Sequence, residues 1–209
     1  MKLDIKINCH SSICINDNIY IDPFKIEKGS LAKVIFITHN HWDHLDKESI
    51  LKIKDKKTIF ISPTGCKKDL LEMGIKEQNI VTVKPFEELN INNVKIKTFP
   101  SYNIDKKFHP KSNNWLGYLI KIDDTTYMIC GDTDLTEEIK QLKTDILFVP
   151  IGGTYTMDAI EGAKLTNLIK PKLVIPVHYG KIVDSHKQEE AFLNHLDQKI
   201  EYKILLEKD

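Results

Sequence analysis

The chain has 209 residues, 41% of them hydrophobic and 29% charged, with Lys+Arg and Asp+Glu both at 30 and no net charge. That composition fits one globular domain with a sizeable core, expected to span residues 1–209. It excludes the basic footprint of a nucleic-acid binder. No apolar run approaches the roughly 18 residues of a membrane span, and no leader is visible behind Met1.

In chain order, Leu3 to Asn8 alternates as a strand, and Ser12 to Ile21 reads as a hairpin turning at Asn16-Asp17-Asn18. Val34 to Ile37 is an unbroken apolar run, the pattern of a strand covered on both faces. It stops at Thr38, where histidines cluster, and a helix is expected near Asp43. Thr58 to Ile61 is a buried strand, Thr64 to Met73 a helix closed by Gly74, and Ile80 to Val83 and Val94 to Phe99 are strands. A long polar loop then runs from Pro100 to Gly117, a length that often signals function. Strands follow at Tyr118 to Ile122 and Tyr127 to Cys130, joined at Asp123-Asp124. Buried strands at Ile146 to Ile151 and Leu173 to Val177 bracket a helix from Asp158 to Ile169. Asp158 and Glu161 there form a capping-box pattern. Lys187 to Leu196 reads as an amphipathic helix and Tyr202 to Leu206 as a last strand. Meander-like strands first, then strands alternating with helices, point to an α+β class: an αββα sandwich of two mixed sheets packed face to face with helices outside.

All thirty basic residues are lysine. Without arginine, a bidentate clamp on phosphate or carboxylate is unavailable, so an anionic substrate must be held by lysine, backbone N–H groups or metal. Cys9, Cys14, Cys66 and Cys130 form no C-x-x-C pair. They are expected as free thiols in a reducing cytoplasm.

The segment Thr38-His39-Asn40-His41-Trp42-Asp43-His44 carries the chemistry. It leaves a buried strand at a sheet edge. In extended backbone, residues two apart share a face, so His39 and His41 can serve one metal while Asp43 and His44 serve another. Three further candidates sit elsewhere: Asp132 after one buried strand, His178 after another, and His109 in the polar loop. Each has a plain alternative, Asp132 as cap of a helix near Leu135 and the histidines as satisfied side chains. Their common placement at strand ends favours convergence. Asp22 is expected either to hold a ligand histidine or to sit in a turn before Pro23. His10 is expected to be structural ahead of lining the cleft edge, and His186 and His195 to lie on the last helix at the surface.

His39-x-His41-x-Asp43-His44 resembles the H-x-H-x-D-H signature of the metallo-β-lactamase superfamily, Gly131-Asp132-Thr133 its bridging-aspartate motif, and Val177-His178-Tyr179 its last-histidine motif. The run Gly152 to Asp158 and the Ile21-Asp22-Pro23 step resemble the small hydrolases related to ascorbate-6-phosphate lactonase and to N-acyl phosphatidylethanolamine phospholipase D. The resemblance implies two divalent ions, Zn2+ first, with Mn2+ or Fe2+ as alternatives. It implies His39, His41 and a third histidine on metal one; Asp43, His44 and His178 on metal two; and Asp132 bridging. The family's usual place for the third histidine reads Ser101-Tyr102-Asn103 here, so His109 takes the role.

The activity implied is hydrolysis of a phosphodiester, lactone or related ester of a small molecule by an activated water that Asp43 orients. Tyr155 and Tyr179 are candidate acids by position, and Cys130 is expected in the core. The alternatives are a nuclease of the same fold, a non-catalytic metal-binding protein, and a diiron redox role. Nucleic acid is not expected as a partner; a homo-oligomer is open.

Overall fold

The computed structural model describes residues 4–180, 182–183 and 187–206; His186 lies outside them. The chain divides into two compact units, 1–83 and 84–209.

The first unit holds one six-stranded sheet in chain order. Its strands are β1 (Ile5–Ile7), β2 (Ile13–Ile15), β3 (Ile19–Ile21), β4 (Val34–Phe36), β5 (Ile59–Pro63) and β6 (Ile80–Val83). β1 to β3 are antiparallel, and β3 to β6 run parallel. The β2–β3 hairpin turns where the sequence placed it. Asn16 and Asp17 both take left-handed φ, 51° and 58°, the backbone a tight turn needs and one that Asn and Asp tolerate. Helix α1 (Lys47–Ile53) begins at Asp46, whose carboxylate accepts the N–H groups of Glu48 and Ser49. It starts later than the expected Asp43, because residues 41–45 form a separate turn in which His41 O accepts from His44 N–H and Leu45 N–H. α1 and α2 (Lys67–Glu72) close one face of the sheet: Ile50, Ile53 and Leu70 join Tyr20, Ile35, Ile37, Leu45 and Phe60 in one buried cluster.

The second unit holds a seven-stranded sheet: β7 (Glu88–Ile91), β8 (Val94–Pro100), β9 (Leu116–Ile122), β10 (Thr125–Ile129), β11 (Ile146–Pro150), β12 (Leu173–Val177) and β13 (Glu201–Tyr202). β7 to β10 are antiparallel and β10 to β13 parallel. β7 escaped the sequence reading, being four residues long at the sheet's edge with only alternate residues half-buried. β13 is shorter than expected. Val174 O accepts Lys203 N–H, but Pro176, two residues on and turned to the same side, has no N–H to continue the ladder.

Helix α3 (Glu137–Lys140) is capped at Thr136, so Asp132 does not cap it. Helix α4 (Ala159–Ile169) carries the full capping box of Asp158 and Glu161 and buries Ala163, Leu165 and Ile169. Helix α5 (Lys187–His195) packs on α4, and His195 ends it at the surface. The class is α+β, with one mixed sheet per unit. Among the described residues no helix is long and apolar enough to cross a membrane.

Candidate metal centre

In the first unit the donors gather at the C-terminal ends of the parallel strands β3 and β4. Asp22, just past β3, takes a left-handed φ of 46° and donates its N–H to Phe36 O. Its buried carboxylate is surrounded by donors. Oδ1 accepts Thr38 N–H at 2.8 Å; Oδ2 accepts the Thr38 hydroxyl at 2.6 Å and lies 2.7 Å from His44 Nδ1. Burial pushes the Asp22 carboxyl up, and His44 and Thr38 pull it back. Of the two readings the sequence left for Asp22, the histidine-holding one is observed.

Proton accounting fixes the histidine tautomers. The Thr38 hydroxyl has one proton and gives it to Asp22, so towards His39 Nδ1, 3.0 Å away, it can only accept. His39 and His44 therefore carry a proton on Nδ1, and as neutral imidazoles they present Nε2 as a lone pair. His39 Nε2 lies 3.0 Å from His41 Nδ1, and His44 Nε2 lies 3.8 Å from Asp43 Oδ2. His39 and His44 are fully buried, with His41 half-buried beside them.

The sequence favoured a structural role for His10 over a place at the cleft edge. The fold brings its Nε2 to 3.2 Å from Asp43 Oδ2. The only sequence signal was its place after a strand, the placement shared by the first histidine cluster, Asp132 and His178.

In the second unit, Asp132 follows β10 and His178 follows β12, with β11 between them. His178 Nε2 lies 2.8 Å from Asp132 Oδ2. Its backbone is left-handed at φ 56° and presses on the loop after β11. A Cβ at Gly152 would stand 2.3 Å from His178 O and 3.3 Å from its Nδ1, so only glycine fits there.

His109 comes from the polar loop between β8 and β9, and its Nε2 lies 3.2 Å from the same Asp132 Oδ2. The loop is stitched in place from within. Asn103 Oδ1 accepts His109 N–H at 3.0 Å and lies 3.0 Å from His109 Nδ1. Asn103 Nδ2 donates to Asp134 Oδ1 at 3.1 Å and to Tyr155 O at 2.8 Å. Asp134 also accepts from Ile104 N–H at 2.8 Å and from Lys106 Nζ. On α3, Glu138 accepts from Tyr102 Oη and Lys111 Nζ.

With His109 Nδ1–H given to Asn103, its Nε2 lone pair faces a carboxylate oxygen. Two acceptors 3.2 Å apart repel unless a cation lies between them, either a proton making an imidazolium or a metal ion. A tetrahedral zinc with ligands at 2.0–2.1 Å separates neighbouring donors by about 3.3 Å, close to the 2.8–3.2 Å found within each unit. The donor set, imidazoles and carboxylates whose outer atoms are held by oxygen acceptors, fits a divalent metal.

The core thiol and the two candidate acids remain. Cys130 is fully buried and its thiol is pushed up by burial. The Tyr179 hydroxyl is directed at Glu189 Oε2, 3.3 Å away, and burial raises it too. Tyr155 is half-buried, its ring edge-on to Phe108 at 4.5 Å.

Mixed sheets whose parallel strands end in histidines and aspartates able to hold a metal ion define a metal-dependent hydrolase of the metallo-β-lactamase fold. The sequence comparisons agree. The model of the β-lactamase superfamily domain matches residues 5–178, and the chain belongs to that superfamily. It is 33% identical over 171 residues to the UPF0173 protein of Pyrococcus abyssi, covering 78% of this chain and 75% of that one. It is 28% identical over 220 residues to the UPF0173 metal-dependent hydrolase of Pyrococcus horikoshii, covering 96% and 95%. Among solved structures, a protein of Parabacteroides distasonis provisionally called a metal-dependent hydrolase matches with a TM-score of 0.79 and 27% identity over 98% of this chain and 94% of that one. Igni18, a metallo hydrolase of Ignicoccus hospitalis, matches with a TM-score of 0.76 over 99% and 96% of the two chains; at 19% identity that likeness concerns the fold.

Proposed function

We propose that the chain is a dinuclear metal-dependent hydrolase of a small phosphodiester, lactone or related ester. His39, His41 and His109 are assigned to one divalent ion, Asp43, His44 and His178 to the other, and Asp132 to both, with zinc first and manganese or iron(II) as alternatives. The observation that carries this reading is Asp132 Oδ2, a single oxygen within 3.2 Å of two histidine Nε2 atoms. His109, one of those two, is turned by Asn103 to offer a lone pair. That is the arrangement a shared carboxylate ligand needs, since two acceptors so close call for a cation between them.

When bound, the ions lower the pKa of a water and neutralise charge building on the substrate oxygen. Asp43 orients the attacking water by accepting its hydrogen bond. Asp22, Thr38 and Asn103 keep the ligand imidazoles in one tautomer and one rotation through the reaction. The absence of arginine leaves the anionic part of the substrate to lysines, backbone N–H groups and the ions. Nothing in this scheme requires a nucleophilic serine or cysteine.

The test is metal analysis of untreated protein combined with turnover of bis-p-nitrophenyl phosphate, a phosphate-bearing lactone and a thioester. Two ions per chain and a turnover abolished in Asp132→Ala are expected. Purified protein with one ion or none, or with two ions and no turnover on any of these after zinc or manganese loading, overturns the reading.

A further inference from the structure

His10, like His109, belongs to none of the three motifs that carry the other clustered histidines, yet at 2% exposure it is as buried as His39, His44 and His178. It rides on the turn between β1 and β2, and that turn is pinned. Asn8 N–H donates to Ser12 O at 2.9 Å and Ser12 N–H to Cys9 O at 2.8 Å. Asn8 Nδ2 donates to Phe24 O at 2.7 Å, and Phe24 N–H to Ser12 Oγ at 3.1 Å. His10 itself sits at a left-handed φ of 57°, a conformation that costs a non-glycine residue about 1–2 kcal/mol. The pinned turn delivers its imidazole to one place. Nε2 lies 3.2 Å from Asp43 Oδ2, the oxygen that His44 Nε2 approaches at 3.8 Å. One ligand atom from each of His10, Asp43 and His44 falls within 4.8 Å of the other two. The His10 and His44 rings meet edge to face at 5.9 Å, so their nitrogens converge while the rings stay out of each other's way.

This is the geometry of three donors around a common cation. The His10–Asp43 separation is close to the roughly 3.3 Å expected between neighbouring ligands of a tetrahedral zinc. The His44 end is already set by Asp22, which holds Nδ1 and leaves Nε2 as the lone pair. We infer that His10 is a further protein ligand of the ion assigned to Asp43 and His44, so that the first unit offers that ion two imidazoles and a carboxylate. The inference rests on the dinuclear reading above. Two imidazoles and one carboxylate suit zinc, manganese and iron(II) and offer no soft sulfur for copper(I). Relative to His44 and Asp43 alone, an additional imidazole holds this ion more firmly.

The test uses the full chain and inductively coupled plasma analysis after dialysis against a weak chelator. His10→Gln retains an amide N–H that can still donate to Asp43, but removes the imidazole. Wild type is expected to keep two ions and His10→Gln one, with its thermal transition in the metal-free state close to that of wild type. His10→Cys loaded with cobalt is expected to show the intense near-ultraviolet absorption of a thiolate bound to Co2+, which a residue outside the coordination sphere does not produce. It also decides the matter if the glutamine variant fails to fold. His10→Gln holding both ions at wild-type affinity, or cobalt-loaded His10→Cys without that absorption, overturns the inference and leaves His10 as a hydrogen-bond donor to Asp43. Wild-type protein that binds no metal defeats the dinuclear reading itself, and this inference with it.

Discussion

The two units orient their histidines with different chemistry. In the first unit the outer partner of His44 is a carboxylate, Asp22; in the second the outer partner of His109 is an amide, Asn103. The neighbours explain the choice. Everything that reaches Asp22 is a donor: Thr38 N–H, the Thr38 hydroxyl and His44 Nδ1–H. An acceptor-only group satisfies all three, and charge-assisted bonds are the stronger kind. Asn103 stands between a donor and an acceptor, with His109 on one side and Asp134 on the other. Only a group with both functions fits, and aspartate there would set two carboxylates against each other.

The largest effect should come from breaking the carboxylate node. Asp22→Ala leaves three buried donors without their acceptor, at roughly 1–3 kcal/mol each before relaxation. A loss of about 3 kcal/mol or more is expected in chemical denaturation of the metal-free protein, together with weakened metal binding. A loss below about 1 kcal/mol would mean that Asp22 is not the organising acceptor.

The two chemistries can be exchanged. Asp22→Asn turns an NH2 towards donors, and Asn103→Asp turns a carboxylate towards Asp134. Each is expected to lower metal affinity by about 10–100-fold, the usual cost of disturbing an outer partner of a ligand histidine. Competition with a chromogenic chelator reads it. An Asn103→Asp protein with wild-type affinity would show that the loop does not depend on the amide's dual role.

Gly152→Ala comes next. The added methyl meets His178 O well inside van der Waals contact, so about 1–3 kcal/mol of stability should be lost to overpacking. The metal-free melting temperature checks this.

The smallest effect concerns Glu138, which straps the His109 loop to α3. The hydrogen bond from Lys111 holds its carboxyl below the ordinary 4.5. A depressed folded value means the strap contributes above pH 4.5 and is lost as pH falls through that lower value. Lys111 is largely exposed, so solvent screens the pair, and Glu138→Gln should cost less than about 1 kcal/mol globally. Faster amide exchange of residues 102–111 in the variant, or in wild type below pH 4.5, is the expected signature. Unchanged exchange would remove the strap from the account.

Most of the elements and the heart of the first cluster are legible in local stretches of sequence. Buried strands are legible because apolar runs have no other place to go, and His39, His41, Asp43 and His44 are legible because they are adjacent. The β2–β3 turn and the capping box of α4 were equally plain, since both act over three or four residues. Tertiary structure decided the rest, because those effects act across long stretches of chain. His109, Asp132 and His178 are brought together by the order β9–β10–β11–β12 and by a loop tied to Asp134, neither of which leaves a local trace. The start of α1 moved because His44 and Leu45 answer to Asp22 and the core, and β13 stopped short because of a proline in its neighbour. Most of all, the sequence left His10 between a structural role and the edge of the cleft. Only the pinned turn between β1 and β2 shows that its imidazole is aimed at Asp43, since the direction of a side chain is fixed by hydrogen bonds that no single segment contains.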